Sequence, residues 1–164
     1  MDAPTAAKLF PRDYVRAMRG LEVYFQTGKR LSELQPQHLE SPEFAQRIKI
    51  FVLNPPRQKL YERINERAAR HFENGLVEEV KRLRESGLRD DTNALGAHGY
   101  RRVGEYLRGT RTLESAIEQT KQDVRNYAKR QMSWFRREAD VVWLEGFGDE
   151  KETQENLFRL TGIV

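Results

Sequence analysis

Only two stretches of this chain have the β-branched and aromatic density of a strand, Ile48 to Leu53 and Val141 to Leu144, and between them the pattern is helical throughout. Two short strands seldom hold a sheet by themselves. They are therefore read as edge additions to a sheet whose other strands lie outside this sequence, or as a small hairpin-like pair incidental to a helical bundle. In the first case Ile48, Ile50, Val52 and Val142 would lack cover and favour association. The fold expected is mostly α with a few short β-strands. With 164 residues, 38% hydrophobic and 33% charged, the chain is long enough for a real core and lies outside the composition range of disorder.

Helical periodicity and capping signals place the other elements. Asp13 suits an N-cap for a helix to Thr27, with Gly28 as the left-handed stop and Val15, Met18, Leu21 and Phe25 as its apolar stripe. The polar segment from Lys29 to Arg47, containing Pro36 and Pro42, reads as a connector, and a domain boundary is expected near residue 45. After Asn54-Pro55-Pro56, helices are expected from Arg57 to Gly75 (Leu60, Ile64 and Ala68 inward), from Leu76 to Ser86, from Gly99 to Arg108 and from a Thr112 cap through the 121–137 segment. A last helix should open at Asp149. No apolar run approaches the roughly 18 residues of a membrane span, and no signal-peptide core is present. A soluble cytoplasmic chain without a membrane partner is the expectation.

Self-sufficient catalytic sets are missing from the sequence. There is no cysteine and no GxxxxGK[ST] loop; His38, His71 and His98 lack the companions of a metal or triad site and are read as structural. Asp90-Asp91 is read as a solvated turn rather than a metal site. What stands out is arginine, which outnumbers lysine more than two to one within a formal net charge of only +4. Its planar fork matches phosphate better than an ammonium does. It gathers on three helical faces: Arg12, Arg16 and Arg19; Arg63, Arg67 and Arg70; and a stripe of Lys121, Arg125, Lys129 and Arg136, opposite Val124, Tyr127, Ala128, Gln131 and Phe135. Trp134 beside Lys129, Arg130 and Arg136 is either a stacking platform for a planar group next to phosphate or a core anchor.

The order of these segments is more specific than any one of them. Asp13-Tyr14-Val15-Arg16-Ala17-Met18-Arg19-Gly20-Leu21-Glu22-Val23 precedes Thr27-Gly28. Then come Arg57, Leu60-Tyr61 and Arg63-Ile64-Asn65 with Arg67, followed by Gly75 to Val80, Gly99-Tyr100-Arg101 and Tyr127 to Arg136. Over essentially the whole chain this series resembles the C-terminal half of the bacterial tRNA dimethylallyltransferase (tRNA isopentenyltransferase) family. The resemblance implies transfer of a dimethylallyl group from dimethylallyl diphosphate to the exocyclic amine of the adenosine 3′ of the anticodon. It also implies a P-loop-kinase-like α/β core carrying a helical insertion that grips the tRNA anticodon stem-loop. Residues 1–45 would be the second part of that insertion and 46–164 the C-terminal part of the core.

Carried over position by position, Arg67 looks like the arginine that holds the leaving pyrophosphate. Arg16, Arg19, Gly99, Tyr100, Arg101, Lys129, Arg130, Gln131, Ser133, Trp134 and Arg136 fall in segments similar to those that contact tRNA. In the complete family enzyme the P-loop, with its magnesium-binding hydroxyl, and the aspartate acting as general base belong to the N-terminal half. Magnesium ligands are thus not expected here, and the isolated chain is expected to be inactive in prenyl transfer. The other reading is a helical tRNA- or RNA-binding module without catalysis. Departures from the family pattern are Val15 for a common glutamine, Gly20 for alanine, His98 for an apolar residue and Val124 for a common threonine.

Overall fold

A computed structural model describes residues 2–35 and 43–162; Pro36, His38 and Pro42 of the expected connector lie outside them. The chain divides into two compact units, 1–48 and 49–164.

In the first unit, helix α1 (Ala3–Ala6) is followed by α2 (Tyr14–Thr27), α3 (Leu31–Leu34) and a 3-10 turn, Glu43–Arg47. Asp2 clasps the unit together. Its carboxylate accepts from the Thr5 amide (3.1 Å), the Thr5 hydroxyl (2.6 Å) and the Ser32 amide (2.9 Å), so one side chain caps α1 and holds α3 beside it. The bounds of α2 follow its signals. The Asp13 carboxylate accepts from the Arg16 amide at 3.2 Å, and Gly28 closes the helix with φ of 68°.

The apolar stripe expected on α2 is not its buried face. Val15 and Phe25 are 82% and 80% exposed, Met18 is also exposed, and the buried residue is Val23. The helix turns Ala17, Gly20, Leu21 and Tyr24 toward Thr5, Ala6 and Leu9 around a small apolar cleft. Periodicity identified an amphipathic helix, but its partners in this unit are too short to cover more than one flank.

The second unit is helical around a two-stranded parallel sheet. Strand β1 (Ile50–Asn54) pairs with β2 (Val141–Glu145) in the register Ile50 to Val141 through Asn54 to Glu145. The Asn54 amide donates to the Glu145 carboxylate at 2.9 Å and fixes that end. A parallel pair requires a crossover, so the hairpin-like alternative is corrected. The crossover consists of α4 (Arg57–Glu73), α5 (Leu76–Glu85), the 3-10 turn Asn93–Gly96, α6 (Tyr100–Leu107) and α7 (Leu113–Phe135). Val52, expected to lack cover, is buried, whereas Ile48 and Ile50 are exposed.

Leu76, Val80 and Val103 form the core, with Phe72, Val77, Tyr100 and Leu107 packed on it. In α4, Ile64 and Ala68 are buried as their spacing predicts, which leaves Arg63, Arg67 and Arg70 on the flank. Thr112 caps α7 by accepting from the Ser115 amide at 3.2 Å. The last helix, α8 (Lys151–Thr161), starts later than expected. Asp149 reaches across to Arg63, and the Glu150 carboxylate folds back onto the Phe147 amide at 2.9 Å. Thr153 docks α8 on the sheet by donating to the Glu145 carbonyl at 2.9 Å. No helix is long and apolar enough to cross a membrane among the described residues.

Candidate functional site

Three arginines at i, i+4 and i+7 of α4, namely Arg63, Arg67 and Arg70, line one wall of an open cleft of about 700 Å³. The facing wall is α7, through Val124, Tyr127, Ala128 and Gln131; Phe147 and Asp149, from the turn after β2, close one end. Position along the helix explains the wall: Ile64 and Ala68 anchor α4 inward, so the residues a turn apart beside them look into the cleft. The walls are pinned together by Arg125, whose guanidinium donates to the Asn65 side-chain oxygen and to the Gln122 oxygen.

Arg63 is held on two sides. Its guanidinium carbon lies 3.7 Å from the Phe147 ring centroid, and one Nη donates to both Asp149 oxygens at 2.8 Å. That hydrogen bond keeps the Asp149 carboxyl below its ordinary value. Neither Arg67 nor Arg70 has a carboxylate partner among the described residues. Glu66 and Asp149 line the same cleft, so three arginines face two carboxylates there, and the positive charge left over is relieved by an anion. Arg67 also lines a neighbouring cleft of about 400 Å³ with His71, His98, Gly99, Tyr100 and Tyr127. It is therefore the side chain shared by the arginine wall and the start of α6.

The structure brings some of the expected site residues together and separates others. Arg67 and Gln131 share the main cleft, and Arg67, Gly99 and Tyr100 share the second. Tyr100 donates its hydroxyl to Glu79 at 2.7 Å, which raises its pKa. Arg101 points elsewhere: it lines a third cleft with Asp90, Asp91 and Arg108 and pairs with Glu105 at 3.5 Å. Lys129, Ser133 and Arg136 open onto a smaller depression with Asn54, Arg57 and Tyr61. Arg130 sits over the Tyr127 ring, 5.8 Å from its centroid. Trp134 is 57% exposed and meets Phe135 edge to face, so it is not a core anchor. Arg16 and Arg19 stand in the first unit on α2, exposed, with i+3 or i−3 carboxylate neighbours Asp13 and Glu22 at 3.5 and 3.3 Å.

The cationic stripe of α7 is shorter than its spacing suggested. Lys121 pairs with Glu118 at 2.6 Å and the Arg125 guanidinium is turned onto the Asn65 side-chain oxygen, which leaves Lys129 and Arg136 of that stripe, with Arg130 beside them in sequence. Tyr127, assigned to the packed side, is 47% exposed and forms cleft wall instead. The reading of the sequence also missed the Arg102 cluster. Its guanidinium donates to Asp123 at 2.7 Å and Glu105 at 2.6 Å, and Arg111 donates to Glu105 at 2.9 Å, joining α6 to α7. The i, i+3 spacing of Arg102 and Glu105 was a detectable signal; its link to Asp123 was not.

Magnesium finds no fit among the described residues. No group of three or more His, Asp or Glu side chains converges there. Asp90 accepts from Arg84 and Arg108, and Asp91 from Arg89, so that acidic pair is engaged in ion pairs.

A family model described as IPP transferase matches residues 1–138. The tRNA dimethylallyltransferase 1 of Citrifermentans bemidjiense is 44% identical over 145 residues, covering 88% of this chain and 47% of that protein. The tRNA dimethylallyltransferase of Koribacter versatilis is 45% identical over 150 residues, covering 92% and 48%. Among solved structures, the full-length tRNA isopentenylpyrophosphate transferase of Bacillus halodurans superposes with a TM-score of 0.66 at 35% identity, over 98% of this chain and 48% of that one. The chain spans about half the length of the curated relatives it matches.

Proposed function

The chain belongs to the IPP transferase family, and from that membership we propose that it is the part of a tRNA dimethylallyltransferase that holds the donor's diphosphate and grips the anticodon stem-loop of tRNA. The observation that carries the reading is the position of Arg67, unpaired with any described carboxylate, at the junction of two clefts bounded by α4, α6 and α7. As the allylic carbon–oxygen bond breaks, negative charge grows on the diphosphate oxygens. A guanidinium answers that charge with charge-assisted hydrogen bonds that strengthen toward the transition state. The adenosine amine attacks the same allylic carbon. Lys129, Arg130 and Arg136 then neutralise backbone phosphates, and exposed Trp134 offers a face to an unstacked base. Arg16 and Arg19 hold the stem from the insertion, and residues 46–164 complete a P-loop-kinase-like core. Magnesium, and the general base that takes the proton lost by the attacking amine, would belong to the family's N-terminal half.

The non-catalytic alternative, an RNA-binding module, is favoured by the exposed Trp134 among cations but leaves the arginine wall without a ligand. Titration of the chain with inorganic pyrophosphate and with unmodified anticodon stem-loop RNA separates the two. Arg67→Ala is expected to weaken pyrophosphate binding at least tenfold, while Arg130→Ala and Arg136→Ala weaken RNA binding and flatten its salt dependence. RNA binding with pyrophosphate affinity unchanged by Arg67→Ala would leave the binding module as the better description.

A further inference from the structure

The arginine wall contains its own competitor. Arg63 is the member of the row whose guanidinium already holds an anion, the Asp149 carboxylate, with both oxygens at 2.8 Å from one Nη. The Phe147 ring lies against the same guanidinium, its centroid 3.7 Å from the guanidinium carbon, and this contact does not depend on which oxygens the Nη atoms hold. Two carboxylate oxygens on a guanidinium have the same donor and acceptor chemistry as two oxygens of a phosphoryl group.

The geometry points to Asp149 as an affinity-setting residue of the cleft: its carboxylate competes with the phosphate oxygens of the diphosphate for Arg63, and the incoming diphosphate takes Arg63 over while it is held by Arg67. This rests on the reading of the cleft as a diphosphate site. Three features make the exchange feasible. The ion pair is exposed, with 48% and 67% of the two side chains open to water, so it is weakly held against a multiply charged ligand. Arg63 and Arg67 are one helical turn apart, a span that one diphosphate bridges. Asp149 is carried by a turn that begins at Gly146, with φ of 93°, and ends before α8, outside any helix or strand. Its release thus breaks no backbone ladder. The depressed Asp149 carboxyl is consistent with the contact.

The test is a double-mutant cycle read by calorimetric titration with inorganic pyrophosphate. Asp149→Asn is expected to tighten binding about two- to fivefold, the scale of an exposed ion pair, and to have no effect in the Arg63→Met background. In the unmutated chain, carboxyl NMR should show the Asp149 titration moving upward toward the ordinary range as pyrophosphate saturates. Equal tightening with and without Arg63 would reduce Asp149 to a distant charge and overturn the inference alone. Coupling seen with anticodon stem-loop RNA but not with pyrophosphate would overturn the diphosphate assignment. Pyrophosphate binding absent from every variant would overturn the reading of the cleft itself.

Discussion

Gly99 shows how one residue serves packing and site together. It precedes α6 with φ of 89° and ψ of −59°, a conformation that L side chains rarely adopt. A Cβ there would lie 3.2 Å from Leu76 Cδ2 and 3.7 Å from Thr120 Cγ2. The start of α6 thus approaches α5 and α7 closely, and the same approach shapes the second cleft beside Arg67. Gly99→Ala combines backbone strain with a tight core contact. It is expected to cost about 2 kcal/mol and to lower the melting temperature of the second unit by about 10 °C, followed by circular dichroism. If Gly99 acted only by leaving room for RNA, melting would be unchanged while RNA affinity fell. Family position identified this glycine, whereas the reason for it lies in Leu76 and Thr120, which no local pattern connects to residue 99.

At the scale of elements, what the sequence made legible was local: caps, stops and periodicity. Asp13, Gly28, Thr112 and the double proline after Asn54 marked boundaries, because each acts on backbone groups within a few residues. Which face an element buries depends on its neighbours, and there the reading of α2 failed while that of α4 held. Long-range polar links were equally invisible, and the clearest is the cluster of Arg102, Glu105, Arg111 and Asp123 between α6 and α7. Partial burial pushes both carboxyls up, but hydrogen bonds and charge from Arg102, aided by Arg111 at Glu105 and Gln119 at Asp123, outweigh it and hold both below their ordinary values of 4.5 and 3.8. Folded-state carboxyls depressed in this way add stability that is complete above those ordinary values and is lost as the pH falls through the lowered ones. Chemical denaturation should therefore give a plateau between about pH 6 and 7 and a decline below about pH 4.5. Arg102→Met should lower the plateau by about 1–3 kcal/mol and make the acid decline shallower, since both carboxyls then titrate nearer their ordinary values. A decline equally steep in the variant would assign acid sensitivity to other groups.

For the whole molecule, cohesion is divided unevenly between the two units. Among the described residues nearly every buried hydrophobic one, from Val52 through Val80 and Val103 to Leu144 and Phe147, belongs to the second; the first has Val23. Full burial of one valine contributes about 1.5–3 kcal/mol, while ordering each backbone residue costs about 1–2 kcal/mol. A helix as short as α2 is marginal in water without a covered face. Yet Tyr14, Val15, Met18 and Phe25 all project from it into solvent. Local pattern carries no sign of this imbalance, since the apolar spacing of α2 matches that of helices in the second unit; only the number of available partners distinguishes them. Hydrogen exchange should consequently separate the units. Amides of α2 are expected to exchange with protection below about a hundredfold, whereas those of α5, α6 and the middle of α7, which surround Val80 and Val103, open only with the bulk of the second unit. Protection in α2 that matched α7 and faded on dilution would mean that a second copy covers the exposed apolar side. Protection that matched α7 at every concentration would mean that the two units unfold as one, and that Val23 and its few neighbours carry more than their burial suggests.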